Sequence, residues 1–220
     1  MPKARRLNLD AIEASLRAVQ ADFERINATL DTPRDPLGNA VLERMLLGYE
    51  LVDAYLADGV DLFATGHSSL LLELNVRVLC GLDAALRPEC SSQLEATEEH
   101  FYAATDGGVE SLVNWVRGLN GAPARRRAAS TYIHILSQPQ LFIEGNHRTG
   151  SLVMSWILAN DGKPPFVLSV ENAKAYFDPS ALVKSSRKHS LRLLLERPKL
   201  VKRFADLLKE DAEKIHLDGH

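Results

Sequence analysis

The run Gln140-Leu-Phe-Ile-Glu-Gly-Asn-His-Arg-Thr-Gly-Ser151, continued by Leu152-Val-Met-Ser-Trp-Ile-Leu158, joins a polar loop to an apolar helix. Glu144 offers hard oxygens suited to a divalent cation. Gly145 lets the backbone come close to a ligand. Asn146 and Arg148 supply hydrogen-bond donors, and the free N–H groups at the start of such a helix favour an anion. The spacing therefore predicts a phosphate-handling loop feeding a buried helix over 148–159.

Working outward, the rest of the chain predicts more helices. Ile12, Leu16, Val19, Phe23, Ile26 and Leu30 recur at steps of three and four, as on one face of an amphipathic helix. The turn residues of Asp31-Thr-Pro-Arg-Asp-Pro36 end it. A second helix is expected over 38–57, with Val41, Met45, Tyr49, Val52 and Leu56 on one face, and the short connection suggests an antiparallel hairpin. Further helices are expected over 68–86, 109–119 and 123–137. Pro139 closes the last of these before the loop. Beyond the turn at 161–165, helices are expected over 170–177 and from Asp178-Pro179-Ser180, with Arg197-Pro198 breaking before a last amphipathic stretch over 200–215. Residues 87–106 look least helical, and a short hairpin or extended flap is expected there. The fold class is thus all-α with a small β-hairpin flap and an N-terminal helical hairpin.

Composition narrows the function classes. At 220 residues the chain can bury a sizeable core. Its 26 basic and 29 acidic side chains give a net charge of −3, so no overall field attracts nucleic acid or an anionic membrane. No apolar run reaches the ~18 residues needed to cross a bilayer. Cys80 and Cys90 lack metal-ligand spacing and are expected to be buried free thiols. A soluble, cytoplasmic protein follows as the expectation.

With these residues in view, the loop resembles the signature of the Fic (Fido) family, His-x-Phe-x-Asp/Glu-Gly-Asn-Gly-Arg-x-x-Arg. Phe142, Glu144, Gly145, Asn146 and Arg148 match it at the right spacing. Leu70-Leu-Leu-Glu-Leu-Asn-Val-Arg-Val-Leu-Cys-Gly81 is similar to the first core helix of that family. Leu86-Arg-Pro-Glu89 resembles the turn after it, and 96–106 falls where the family has its target-positioning flap. Gly162-Lys-Pro-Pro165 and Tyr176-Phe177 resemble segments downstream of the loop. The resemblance implies a Fic-like core over 67–190, an N-terminal helical segment over 1–66 and a C-terminal helix over 191–220.

Three departures stand out. Gln140 occupies the place of the histidine that deprotonates the target hydroxyl, His147 replaces the second glycine, and Ser151 replaces the second arginine. The last two changes also resemble the Doc-type branch, which looks like a phosphotransferase, but that branch keeps the histidine. Glutamine cannot accept a proton near neutral pH, so Gln140 could orient a nucleophile without activating it. His147 is the substitute base to weigh; contact with phosphate or target, or a surface position, are its other readings. At a helix N-terminus the dipole would keep its ring neutral.

The resemblance implies a nucleotide- or phosphate-binding set of Gly145, Asn146, His147, Arg148 and Gly150, with Mg2+ (or Mn2+) on Glu144 and ATP or another nucleotide as co-substrate. Glu144 could instead cap its helix, and Arg148 could serve in a structural ion pair. Ser151 has no His/Asp constellation beside it and reads as a helix-surface residue. His134 reads as a core histidine hydrogen-bonded to backbone, and Arg125-Arg126-Arg127 as a solvated helix start. Ser69 and Glu73 have part of the spacing of the family's inhibitory helix, but Ser151 leaves such a glutamate no arginine to pair with.

Two functions follow from different classes. One is a divergent transferase moving AMP or a phosphate-containing group to a hydroxyl of a target protein. The other is a catalytically silent pseudoenzyme that binds a nucleotide or a protein and acts by occupancy. The paired N-terminal helices could also form a homodimer contact or simply pack onto the core.

Overall fold

The computed structural model describes residues 5–82, 87–103, 105–209 and 211–218. Among these residues ten α-helices follow one another: α1 Leu9–Ala21, α2 Phe23–Asn27, α3 Asn39–Ala57, α4 Ser68–Cys80, α5 Arg87–Tyr102, α6 Val109–Arg117, α7 Ala124–Leu136, α8 Asn146–Asn160, α9 Ala173–Lys184 and α10 Leu191–Leu207. A 3-10 turn over Asp211–His216 follows. Among the described residues there is no strand, only the isolated bridges Leu7–Leu217 and Gln138–Arg187. The all-α class is therefore observed.

Helix α8 is the centre. It packs against α7, α3 and α4, and α10 covers the outer side of α7. Its residues from Thr149 to Ala159 are buried without interruption, which is why the sequence there is apolar on every face. One hydrophobic cluster joins residues from both ends of the chain, including Leu16, Leu42, Leu74, Leu152, Phe204 and Leu217. A smaller one gathers Val19, Phe23, Ile26 and Leu30 against Ala173 of α9. Every apolar residue used to predict the first helix is buried, although the helix breaks at Asp22 into α1 and α2. Gln20 bonds the Leu37 carbonyl and Asn39 at one end, while Arg6 and Leu7 bond Asp53 at the other. Helices α1 and α3 are therefore antiparallel, as the hairpin expectation had it.

Four expectations need correction. Among the described residues no hairpin flap forms: α5 is helical to Tyr102, followed by turns. Its buried face is Thr97 and Phe101, with Leu94 half-buried one turn earlier, and the intervening Glu95, Glu98 and Glu99 are exposed. Polar residues dilute that periodicity below what sequence reading resolves. Helix α4 stops at Cys80 rather than near 86, because Gly81 takes φ +64°; residues 83–86 lie outside the described ones. Asp178-Pro179 does not begin a helix but lies inside α9, and Pro198 lies inside α10 instead of breaking it. A proline forfeits the bond to the carbonyl four residues earlier. Those residues, Ala175 and Leu194, are exposed, so water can take the freed carbonyls and the helices continue.

Cys80 is buried and forms no disulfide among the described residues; the Cys90 side chain lies outside the described residues. Among the described residues no helix is long and apolar enough to cross a membrane.

Candidate functional site

The loop between α7 and α8 is held from three directions. From the C-terminal side, Gln138 N–H donates to the Ser186 carbonyl and Lys188 N–H to the Gln138 carbonyl, both at 2.8 Å. The buried Lys188 ammonium donates to the Pro139 carbonyl, and burial pushes its pKa down to about 8. From α5, His100 Nε2 meets the Gln140 carbonyl at 2.8 Å, and Phe101 stacks on Phe142 at 5.4 Å. From α4, the fully buried Asn75 donates to the Glu144 carbonyl at 2.9 Å and the Thr149 hydroxyl at 3.0 Å. Asn75 sits among Leu71, Leu74, Val78 and Leu79 on the apolar face of α4. A buried amide there was the available sequence signal for this clamp, and it was missed.

Gly145 is the hinge into α8. Its φ of +76° is open to glycine, and a Cβ would lie 2.8 Å from Asn75 Nδ2. The backbone does come close to something, but to Asn75 and Leu79 within the protein. Gly145→Ala should cost about 2 kcal/mol from left-handed strain and displacement of Asn75. A chain of this size should then lose roughly 4–8 °C in melting temperature, measurable by thermal unfolding.

Asn146 is buried, and its side chain clasps the loop: Oδ1 accepts from Phe142 N–H at 2.9 Å and Nδ2 donates to the Phe142 carbonyl at 2.7 Å. That amide shapes the loop rather than facing a ligand. Gly150 packs beneath Tyr132, where a Cβ would meet the ring at 2.9 Å. It was expected near phosphate and instead admits close packing of α8 on α7. Among the described residues, the backbone N–H groups of Asn146, His147 and Arg148 have no acceptor, and Gly145 provides no side-chain cap. These are the free donors expected of the helix start.

His147 turns inward. Ser180 Oγ donates to the Tyr176 carbonyl at 2.6 Å, which uses its only proton. Tyr132 OH must then donate to Ser180 Oγ at 2.9 Å, and its oxygen accepts from His147 Nδ1–H at 3.1 Å. This proton count fixes the tautomer and leaves a bare lone pair on Nε2, which is buried and has no partner. Burial, more than any neighbouring charge, pushes the His147 pKa down to about 3, with Arg34 and Lys184 adding to it. The ring is neutral, as expected, but chiefly because it is desolvated rather than because of the helix dipole.

A cavity of about 320 Å3 opens beside His147, Arg148 and Ser151. Tyr49, Phe166 and Tyr176 wall it, and Arg34 to Leu37 cross its mouth from the N-terminal hairpin. Arg148 donates to the Val78 carbonyl through Nη1, and burial lowers its pKa, with Arg44 adding to the effect. Arg34 brings a second guanidinium, held by the Phe177 carbonyl at 3.2 Å, with its buried Nε unpaired. Sequence reading placed Arg34 in a turn and gave it no role. Two guanidiniums, a neutral imidazole and a hydroxyl share this cavity with the Asp35 carboxylate and a largely apolar lining. Ser151 itself donates to the Arg148 carbonyl at 2.8 Å, a helix-internal bond.

Gln140 is half-buried, lies outside that lining and spends its Nε2–H on the Leu136 carbonyl at 3.0 Å. The two residues expected to share catalysis are thus separated, Gln140 under α5 and His147 against α7. Glu144 is exposed, and no group of three acidic, His or Cys side chains gathers among the described residues. A lone carboxylate suits a Mg2+ whose other ligands are water and phosphate oxygens, and not a cage of protein ligands.

No protein-family model matches the chain, and no curated protein matches it. Among solved structures it is similar to a Fic domain containing signaling protein from Bacteroides thetaiotaomicron. Identity is 16%, over 94% of this chain and 97% of that one, with a TM-score of 0.44. Likeness at that level decides neither family nor activity.

Other residues fall into structural roles. His134 is buried, but its partner is the Ser111 hydroxyl at 3.3 Å and not the backbone; it stacks on Trp115. Burial pushes its pKa down to about 3. Glu73 pairs with Arg77 of its own helix at 2.9 Å.

Proposed function

We propose that this chain is a divergent Fic-type protein that binds a nucleotide or another phosphorylated ligand and acts chiefly by occupancy. The observation that carries the reading is the start of α8, where three amides have no acceptor among the described residues and His147, Arg148 and Ser151 line a cavity that Arg34 also reaches. Such a place offers an anion both hydrogen bonds and charge. The loop residues Phe142, Glu144, Gly145, Asn146 and Arg148 support the family reading through their order and spacing. Glu144 would hold Mg2+ or Mn2+ together with the ligand's phosphate oxygens, and the ion would neutralise phosphate charge. Occupancy is favoured because position 140 carries an amide already committed to the Leu136 carbonyl.

One observation favours the second reading, a transferase moving AMP or a phosphate group to a protein hydroxyl. His147 is neutral with a free Nε2 lone pair that can accept a proton, although burial makes it a weak base. It faces the cavity lining rather than Gln140, so base action there needs a target hydroxyl to enter beside Tyr132. Removing the lone pair tests this: His147→Phe should abolish any residual label transfer if the base reading holds.

Calorimetric titration with Mg-ATP and with pyrophosphate tests the occupancy reading. Arg148→Ala should weaken binding roughly 10- to 100-fold, the value of a charge-assisted contact to phosphate. Unchanged affinity in a folded variant removes Arg148 from the site.

A further inference from the structure

A separate groove lies on another side of α7. Helices α6, α7 and α10 enclose a groove of about 710 Å3, within the range of small-molecule sites. Its floor is apolar, from Leu119, Leu194 and Val201. Its walls carry Arg125, Arg126, Arg197, Lys202 and Lys209 against one acid, Asp206. Lys209 takes Asp206 as its own ion-pair partner, while the other four cations have none among the described residues. In a chain with net charge −3, this is a local concentration of positive charge facing an apolar floor.

The groove also collects hydrogen-bond donors that lack acceptors. Trp115 has the Arg197 guanidinium 4.3 Å from its ring centroid and stacks on the His134 imidazole. Its Nε1–H is buried and unpaired, as are the Nε–H groups of Arg197 and Arg125. All three are donors, and an unmet buried donor costs about 1–3 kcal/mol.

We propose that this groove binds a small organic anion: a carboxylate, phosphate or sulfonate head on an apolar body. The head meets the Arg125 and Arg197 guanidiniums, and the body lies on Leu119, Leu194 and Val201. Fixed donors aimed at one end and apolar contact at the other give the site its orientation. The site is independent of the α8 loop, so it stands whether or not that loop binds phosphate.

Titration of the full chain with the fluorescent sulfonate 8-anilinonaphthalene-1-sulfonate tests this. One saturable site is expected, displaced by decanoate but not by the same concentration of inorganic phosphate. Arg125→Gln with Arg197→Gln should weaken it at least tenfold. The rim pair Arg126→Gln with Lys202→Gln, both exposed and harmless to folding, should weaken it severalfold. Arg148→Ala should leave it unchanged. Non-saturable binding, equal affinity in the rim pair and the native chain, or displacement by phosphate as effective as by decanoate would each overturn the assignment.

Discussion

Gln140→His is expected to raise transfer of label from ATP to the protein itself by roughly 10²–10⁴, the usual worth of a positioned general base. The reason is local. The Gln140 amide donates to the Leu136 carbonyl, and the residue's own carbonyl is anchored by His100. An imidazole at 140 can give that same donor from one ring nitrogen, which fixes its tautomer and leaves the other nitrogen free to take a proton. The supporting frame of Phe142, Asn146 and Asn75 stays untouched. Phosphoryl-type transfers rely mainly on positioning and charge neutralisation, so the gain requires a nucleotide held at the start of α8 to extend to residue 140. Autoradiography after incubation with labelled ATP and Mg2+ reads the result. Binding without any gain in transfer would show that the loop is not arranged for transfer, with or without a base.

The second large effect is acid lability. His134 and His147 both have folded pKa values pushed down to about 3, from an ordinary value of 6.5. Between those limits the unfolded chain binds protons at these two sites that the folded chain refuses. Stability therefore rises with pH across this window; it is fully present above about 6.5 and is lost as pH falls toward 3. Each histidine contributes a slope of up to about 1.4 kcal/mol per pH unit, so the pair contributes about 2.7. Over three units that slope removes about 8 kcal/mol, comparable with total stabilities of about 5–15 kcal/mol. Acid unfolding should set in well above pH 3. Urea unfolding from pH 4 to 7 measures the slope, and His134→Gln should lower it by about half of the pair's share. A slope unchanged in that variant would mean that His134 titrates normally.

The sequence carried the skeleton well wherever apolar residues repeat cleanly. Ile12, Leu16 and Val19 marked α1, and the uninterrupted apolar run after Arg148 marked α8 as buried on all sides. It failed where periodicity is diluted, as in α5, or where a proline's freed carbonyl can reach water, as at Pro179 and Pro198. The site was legible as a loop but not as a cavity. Gly145 and the free amides of α8 follow from spacing. Asn146 and Gly150 look like ligand residues in sequence because both face inward only once the chain is folded. The Tyr132–Ser180 relay that sets the His147 proton spans 48 residues, and Arg34 arrives from more than a hundred residues upstream. No local pattern encodes such meetings.

The central claim is that the start of α8 holds phosphate. Backbone amide NMR during titration with Mg-ATP, and separately with pyrophosphate, tests it most directly. The account predicts saturable shifts largest at the amides of Asn146, His147 and Arg148, reproduced by pyrophosphate and lost in Arg148→Ala. Saturation with those three amides unmoved, or no saturation by either ligand, would contradict it.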